Sequence, residues 1–312
     1  MRKPQLIAGP LLAAAALATG LWSAVAQEAS STGIPVHVVV TVEPRHGSNV
    51  PVINREDVMV YQGRDRAKVT DWVPLQGERA GLELFILIDD AASTSLGSQL
   101  EDIRQFINAQ PSTTAIGVAY MRNGTAEMLE NPTNDHSQAA KALRLPLGDP
   151  GRSGSPYFSL VDLIKPWPEG PVRREVLMVS DGIDRFGGSG PSNPYVDSAI
   201  EEAQRAGVII YSIYTPGVGH YGHSFWRMNW GQNYLSQLSD ETGGESYYLG
   251  FGAPVSFAPY LDDLSHRLTR QFLLTFLAKR EKKAGFQSFK LRTEVPNAEL
   301  VAADRVYVPD GT

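Results

Sequence analysis

Two stretches of the chain place acid at the end of an apolar run. In Leu84-Phe85-Ile86-Leu87-Ile88-Asp89-Asp90-Ala91-Ala92-Ser93, five apolar residues stop at two carboxylates, and a hydroxyl follows shortly after. Glu175-Val176-Leu177-Met178-Val179-Ser180-Asp181-Gly182 repeats the pattern. Acids at neighbouring strand ends suit metal-assisted hydrolysis, and they equally suit helix capping and the binding of backbone amides. His136, directly after Asp135, offers a general base, or simply the start of a helix carrying Ala139, Ala140 and Leu143. A third stretch, residues 215 to 231, holds His220, Tyr221, His223, Phe225, Trp226 and Trp230. Such rings anchor protein interfaces, or pack over the base of their own loop. His220 and His223 as a zinc pair lack a further ligand set at suitable spacing. The sequence contains no Gly-x-Ser-x-Gly elbow, no Walker-type phosphate loop and no His-Glu-x-x-His helix, so binding is favoured over catalysis.

These residues need elements to hold them at one place. Five consecutive apolar residues exceed what a one-sided strand requires, so residues 84 to 88 are expected as a central strand covered on both faces. Leu96, Leu100, Ile103, Phe106 and Ile107 then recur on one helical face. Strand, turn and helix in that order put Asp89 and Ser93 at the C-terminal edge of a sheet, where open α/β folds hold their ligands. Residues 114 to 120 read as a strand with a hairpin through Asn123-Gly124, and 137 to 143 and 158 to 164 as short helices. Val196, Ala199, Ile200, Ala203 and Ala206 line a helix closed by Gly207, followed by the buried strand 208 to 214. Tyr234, Leu235 and Leu238 belong to a helix ended by Gly243-Gly244, and Phe257 to Leu268 supplies the last one. Successive strand-helix units with right-handed crossovers predict a doubly wound parallel sheet.

Both ends of the chain are rich in strand signals. Val36, Val38, Val40 and Val42 alternate, and residues 58 to 61 lead through Gly63-Arg64-Asp65 into 69 to 73, a hairpin pattern. Residues 272 to 277 form an apolar run, Phe289 to Val295 alternates, and 306 to 308 adds a short strand. The expectation is a small β module built from residues 34 to 76 and 269 to 312, with an α/β domain, residues 82 to 268, inserted between.

The 312 residues carry a net charge of −6, and loss of Arg2 and Lys3 with a leader would make it −8. Neither value favours nucleic acid or an anionic membrane. Met1-Arg2-Lys3, the apolar run from Leu6 to Trp22 and Ala24-Val25-Ala26 have the three regions of a signal peptide, residues 1 to 26, cleaved before Gln27. Export to the periplasm or outside the cell is therefore expected, with no stable span after cleavage. The absence of cysteine excludes disulfides, thiol catalysis and thiolate metal sites.

The strand ending in Asp89, the later Leu177-Met178-Val179-Ser180-Asp181-Gly182, the segment Ala203 to Tyr211 and Leu238-Ser239-Asp240-Glu241-Thr242-Gly243-Gly244 together resemble a von Willebrand factor A (VWA) domain. The flanking β segments and the leader make the chain similar to the VWA-related proteins of acidobacteria. This resemblance implies a metal-ion-dependent adhesion site, in which Asp-x-Ser-x-Ser, a Thr from a second loop and an Asp from a third hold Mg²⁺ or Mn²⁺. Asp89 and Ser93 match the first motif, whereas Ala91 stands where the family has its middle serine. Asp181 matches the third loop. Ser155 in Gly151-Arg152-Ser153-Gly154-Ser155 is the best second-loop candidate, with Ser153 as fallback. Magnesium takes six oxygens in a near-octahedral set and keeps several waters, which suits two carboxylates and two or three hydroxyls. The open position would accept an acidic residue of a partner protein. Ser93 and Ser155 can also be read as helix caps, and Asp90 as a substitute oxygen donor or a solvated carboxylate near the partner. The implied function is a non-enzymatic protein-binding and adhesion module, with Asp89, Ser93, Ser155 and Asp181 as metal ligands and Asp90, His220, Tyr221, His223, Trp226 and Trp230 facing an unidentified protein ligand. A metal-free structural or assembly domain of the cell envelope is the alternative.

Overall fold

A computed structural model describes residues 33–149, 154–188, 190–219, 224–250, 252–281 and 283–310. The leader, Ser153, His220, Tyr221 and His223 lie outside the described residues. The described residues form one compact unit. Its elements in order are β1 (Ile34–Pro44), β2 (Met59–Gln62), β3 (Asp65–Pro74), β4 (Leu82–Asp89), α1 (Gly97–Ala109), β5 (Thr114–Arg122), β6 (Thr125–Thr133), α2 (His136–Lys141) and α3 (Pro156–Ile164). They continue with β7 (Arg173–Ser180), α4 (Pro194–Ala206), β8 (Val208–Tyr214), α5 (Phe225–Thr242), β9 (Ser246–Tyr247), α6 (Ala258–Thr269), β10 (Gln271–Ala278), β11 (Gly285–Ser288), β12 (Lys290–Arg292), β13 (Ala298–Val301) and β14 (Arg305–Val308).

One sheet runs β6-β5-β4-β7-β8-β9, all parallel except β6, which returns antiparallel from β5. Alternation along β4 divides its side chains between two cores. Leu84, Ile86 and Ile88 join α1, α2 and α6 on one face. Phe85 and Leu87 join α3, α4 and α5 on the other. The helices follow from their sequences: Asp135 caps α2 by accepting from the Gln138 amide, Asn193 caps α4, and Gly207 closes α4 in the left-handed conformation at φ 65°. Strand order reverses at β4, which lies between β5 and β7, so the loops after β4 and β7 leave the same edge in opposite directions. That reversal opens the crevice in which Asp89 and Asp181 meet.

The second sheet, β12-β2-β3-β10-β1-β13, is antiparallel, and β11 pairs with β14 beside it. Its centre joins the two ends of the chain: β1 pairs along its length with β10, from Ile34 opposite Ala278 to Thr41 opposite Gln271. Val36, Val38, Val40, Leu274 and Phe276 form its core, and Trp72 stacks on Phe272 with ring centroids 4.5 Å apart.

Three stretches differ from the sequence reading. Helix α5 begins at Phe225, so most of the expected aromatic loop, residues 225 to 231, is helical. Ser224 leads in with extended backbone, and Gly231 is helical because its bare Cα packs against Asp181 and Gly182, where a Cβ would overlap the Asp181 carbonyl. The alternating stretch 289 to 295 is not one strand. Ser288 pairs with Arg305 while Lys290 pairs with Tyr61, so the chain changes partner at Phe289, whose ring turns into the core 5.4 Å from Phe276. Strand β13, unmarked in the sequence reading, pairs with the end of β1.

Where α6 passes into β10, a polar cluster lies under the parallel sheet. Glu175 is fully buried, its nearest cation is Arg173 with Nε at 3.6 Å, and neither carboxylate oxygen has a hydrogen bond in good geometry. Burial pushes its carboxyl up from 4.5 to about 6, and Arg173, Gln271 and Tyr211 oppose this only in part. The folded state thus holds this proton more tightly than the unfolded chain, so the contribution of Glu175 to stability falls as pH rises between those values. Glu175→Gln is expected to raise stability at pH 7.5 by about 2 kcal/mol, with little effect at pH 4.5. Urea midpoints of the two proteins at the two pH values measure this.

Candidate functional site

Asp89 is the last residue of β4, and Asp181 follows the last residue of β7. Both are buried at the shared edge, with 4% and 1% of their surface exposed. Each carboxylate first serves its own turn: Asp89 Oδ1 accepts from the Ala91 amide at 2.8 Å, and Asp181 Oδ1 from the Ile183 amide at 2.9 Å. The Ser180 hydroxyl bridges the two turns, donating to Asp89 Oδ2 at 2.7 Å and accepting from the Gly182 amide at 3.0 Å. Burial and the neighbouring Asp181 charge push the Asp89 carboxyl up to about 6, against the pull of Arg185, the Ser180 hydroxyl and the Ala91 amide.

Arg185 supplies the positive charge. Its Nη2 lies 2.5 Å from Asp181 Oδ2 and its Nη1 3.2 Å from Asp181 Oδ1, a two-point fork. Nη1 also donates to the Ile183 carbonyl at 3.1 Å, and the Arg185 amide donates to the Gly154 carbonyl at 3.0 Å. The side chain is only 9% exposed. Gly217 makes room for it: a Cβ there would overlap Asp181 Oδ2 and come within 2.7 Å of Arg185 Nη2. Gly217 is held in place by a β-bridge to Ala92, and the Ser93 amide donates to the Pro216 carbonyl at 3.3 Å.

The expected ligand set is thus gathered around one edge, but its oxygens are engaged elsewhere. Ser93 Oγ shares a hydrogen bond with Ser95 Oγ at 2.8 Å and accepts from the Ser95 amide. Ser155 Oγ, nearly fully buried, caps α3 by accepting from the Phe158 amide. Ala91 is fully buried and brings a methyl group. Asp181 has both oxygens on the guanidinium. Among the described residues no three His, Asp or Glu side chains converge as a metal-binding group. This donor set does not fit Mg²⁺ or Mn²⁺, since a six-oxygen shell requires carboxylate lone pairs that Arg185 already holds.

No family model matches the sequence, and no curated protein matches it. Among solved structures, the chain is similar to an aerotolerance-related membrane protein of Bacteroides fragilis, at 15% identity over 60% of this chain and 98% of that one, with a TM-score of 0.41. It is also similar to the vWF domain of the type V pili tip protein Mfa5 of Porphyromonas gingivalis (12% identity, 59% and 94% covered, TM-score 0.39) and to the SpRpn10 VWA domain (14% identity, 59% and 93% covered, TM-score 0.35). Two of these neighbours are vWF or VWA domains by name. Against the VWA motif, Asp89 and Asp181 stand at the expected strand ends, while the middle hydroxyl is absent.

Asp90 is neither solvated nor available to a partner. It is fully buried, and Arg144 clasps it with Nη1–Oδ1 at 2.6 Å and Nη2–Oδ2 at 2.9 Å while the Leu147 amide donates to Oδ1. The guanidinium carbon lies 3.9 Å from the centre of the Tyr120 ring, so the pair is backed by a π face. Neither arginine is among the site residues that the sequence suggests. Arg185 is the lone cation between Arg174 and Arg205 and falls four residues after Asp181, which is the one sequence signal that marks it. Arg144 is 54 residues from Asp90, and nothing local points to it. Of the remaining expected partner residues, Trp226 is 71% exposed, whereas Trp230 is half-buried and stacks near Tyr234.

Removing one member of a buried pair leaves an uncompensated charge. Arg144→Ala is expected to cost about 3 kcal/mol, discounted for the partial exposure of the arginine. Asp90→Asn in the same chain should recover much of that loss. Chemical denaturation of the single and double variants checks both values.

Proposed function

We propose that the chain is an exported protein-interaction module that binds a protein partner at the C-terminal edge of its parallel sheet. The observation that carries this reading is the placement of α5. Gly231 seats the helix against Asp181 and Gly182, and at about 1.5 Å per residue the preceding turns carry Phe225 and Trp226 some 7 Å or more past the edge. These two rings are 55% and 71% exposed and meet edge to face with centroids 5.7 Å apart. Exposed aromatic side chains, Trp above all, often anchor protein interfaces. The hydroxyls of Ser93, Ser155 and Ser180 are occupied in caps and turns, which supports binding rather than catalysis. The engaged oxygens of Asp181 favour contact without a bridging metal. No helix among the described residues is long and apolar enough to cross a membrane.

The same proposal takes residues 82 to 268 as a doubly wound VWA-like domain, supported by helices on both faces of the parallel sheet. Strands from residues 34 to 76 and 269 to 312 form its companion module, supported by the pairing of β1 with β10. The leader sequence supports export, and the adhesion-like role follows from an exported binding edge.

The test is crosslinking of the purified protein to an envelope fraction, followed by affinity measurement with the captured protein. Trp226→Ala and Phe225→Ala are each expected to weaken that affinity about 30-fold, as loss of an aromatic anchor does, and EDTA should leave it unchanged. Full affinity in both variants would refute the proposed face.

A further inference from the structure

We infer that the guanidinium of Arg185 is the resident cation of the carboxylate edge, standing in for a divalent ion, so that this domain is indifferent to Mg²⁺, Mn²⁺ and Ca²⁺. Four independent features point the same way. The fork from Arg185 covers both oxygens of Asp181, and the pair is 9% and 1% exposed, so solvent ions do not reach it freely. Gly217 leaves the space that the guanidinium fills, and any side chain there would collide with both partners. The Arg185 amide is tied to Gly154, one residue from Ser155, so the cation is fixed by the very loop that would supply the second hydroxyl. Ala91, fully buried, offers no oxygen where a metal would need one.

The chemistry is coherent. A buried pair of carboxylates requires a nearby positive charge, and an arginine remains protonated at any working pH. A planar guanidinium meets a carboxylate through two parallel bonds, whereas a divalent ion needs an octahedral shell of oxygens. An internal cation also carries no entropy cost of capture and does not depend on the ionic composition around an exported protein. The inference deepens the reading of this edge as a binding face and rests on it for purpose alone. Its test contains no partner, so failure of either can be told from failure of the other.

The experiment is a set of thermal melts of the full chain in EDTA and in millimolar MgCl₂, MnCl₂ or CaCl₂, with free Mn²⁺ followed by electron paramagnetic resonance. The wild type and Arg185→Lys should show no shift and no Mn²⁺ uptake. Arg185→Ala uncovers the Asp181 carboxylate beside Asp89 and should gain a cation-dependent rise on the order of 5 °C, because a ligand bound only to the native state stabilises it. The rise should vanish in Asp89→Ala/Arg185→Ala. If Arg185→Ala is unfolded in EDTA, rescue by Mn²⁺ or recovery of folding in Asp181→Ala/Arg185→Ala carries the same conclusion. A cation-dependent shift of the wild type, a folded Arg185→Ala that ignores all three ions, or a charge-free double variant that stays unfolded would overturn the inference.

Discussion

Two carboxylates buried side by side repel each other, and the sheet edge stands only because positive charge and hydrogen-bond donors are arranged around them. The reversal of strand order at β4 brings Asp89 and Asp181 together. From that point the surrounding structure answers one demand. The Ala91 and Ile183 amides, the Ser180 hydroxyl and the Arg185 fork each place a donor against the acids. Gly217 and Gly231 remove side chains so that backbone and guanidinium can approach. One position further on, Asp90 meets the same demand with Arg144, which in turn rests on Tyr120.

The strands and helices of the parallel sheet were legible because their signals are local. Apolar runs such as 84 to 88 and 208 to 214 announce buried strands, and Asp135 and Gly207 mark helix ends by their own chemistry. The position of Asp89 and Asp181 at one edge followed from strand-turn-helix order. What chain order does not encode is which distant group answers a buried charge. Arg144 looks like an ordinary surface cation in the sequence and Arg185 is marked only by its spacing from Asp181, and the folded loops bring both against acid. Phe289 illustrates the same limit for a strand: alternation gave the direction of its ring, while the change of partner strand depends on Arg305 and Tyr61.

The resemblance to VWA domains placed acids at two strand ends, and Asp89 ends β4 while Asp181 follows β7. A serine at position 91 would offer a hydroxyl, whereas alanine offers none, and Arg185 fills the electrostatic need by another route. Facing outward beside this edge is the aromatic start of α5, a helix whose Gly231 packs against the acid loop.

The antiparallel sheet has a bearing on how the chain reaches this state. His37 on β1 bonds Thr275 on β10 across 238 residues, and β1 lies between β10 and β13. In a chain made from its N-terminus, β1 emerges first and waits for both partners until nearly everything else has been synthesised. Through that interval Val36, Val38, Val40 and Val42 present an unpaired, strongly β-prone edge, the kind of segment that self-associates. Closure of so long a loop is slow, and the parallel sheet, with all its strands between β3 and β10, can form beforehand and hold the two ends near each other. The first described strand therefore waits longest for its partners, and any factor that holds the unfinished chain would act on it before any other described strand.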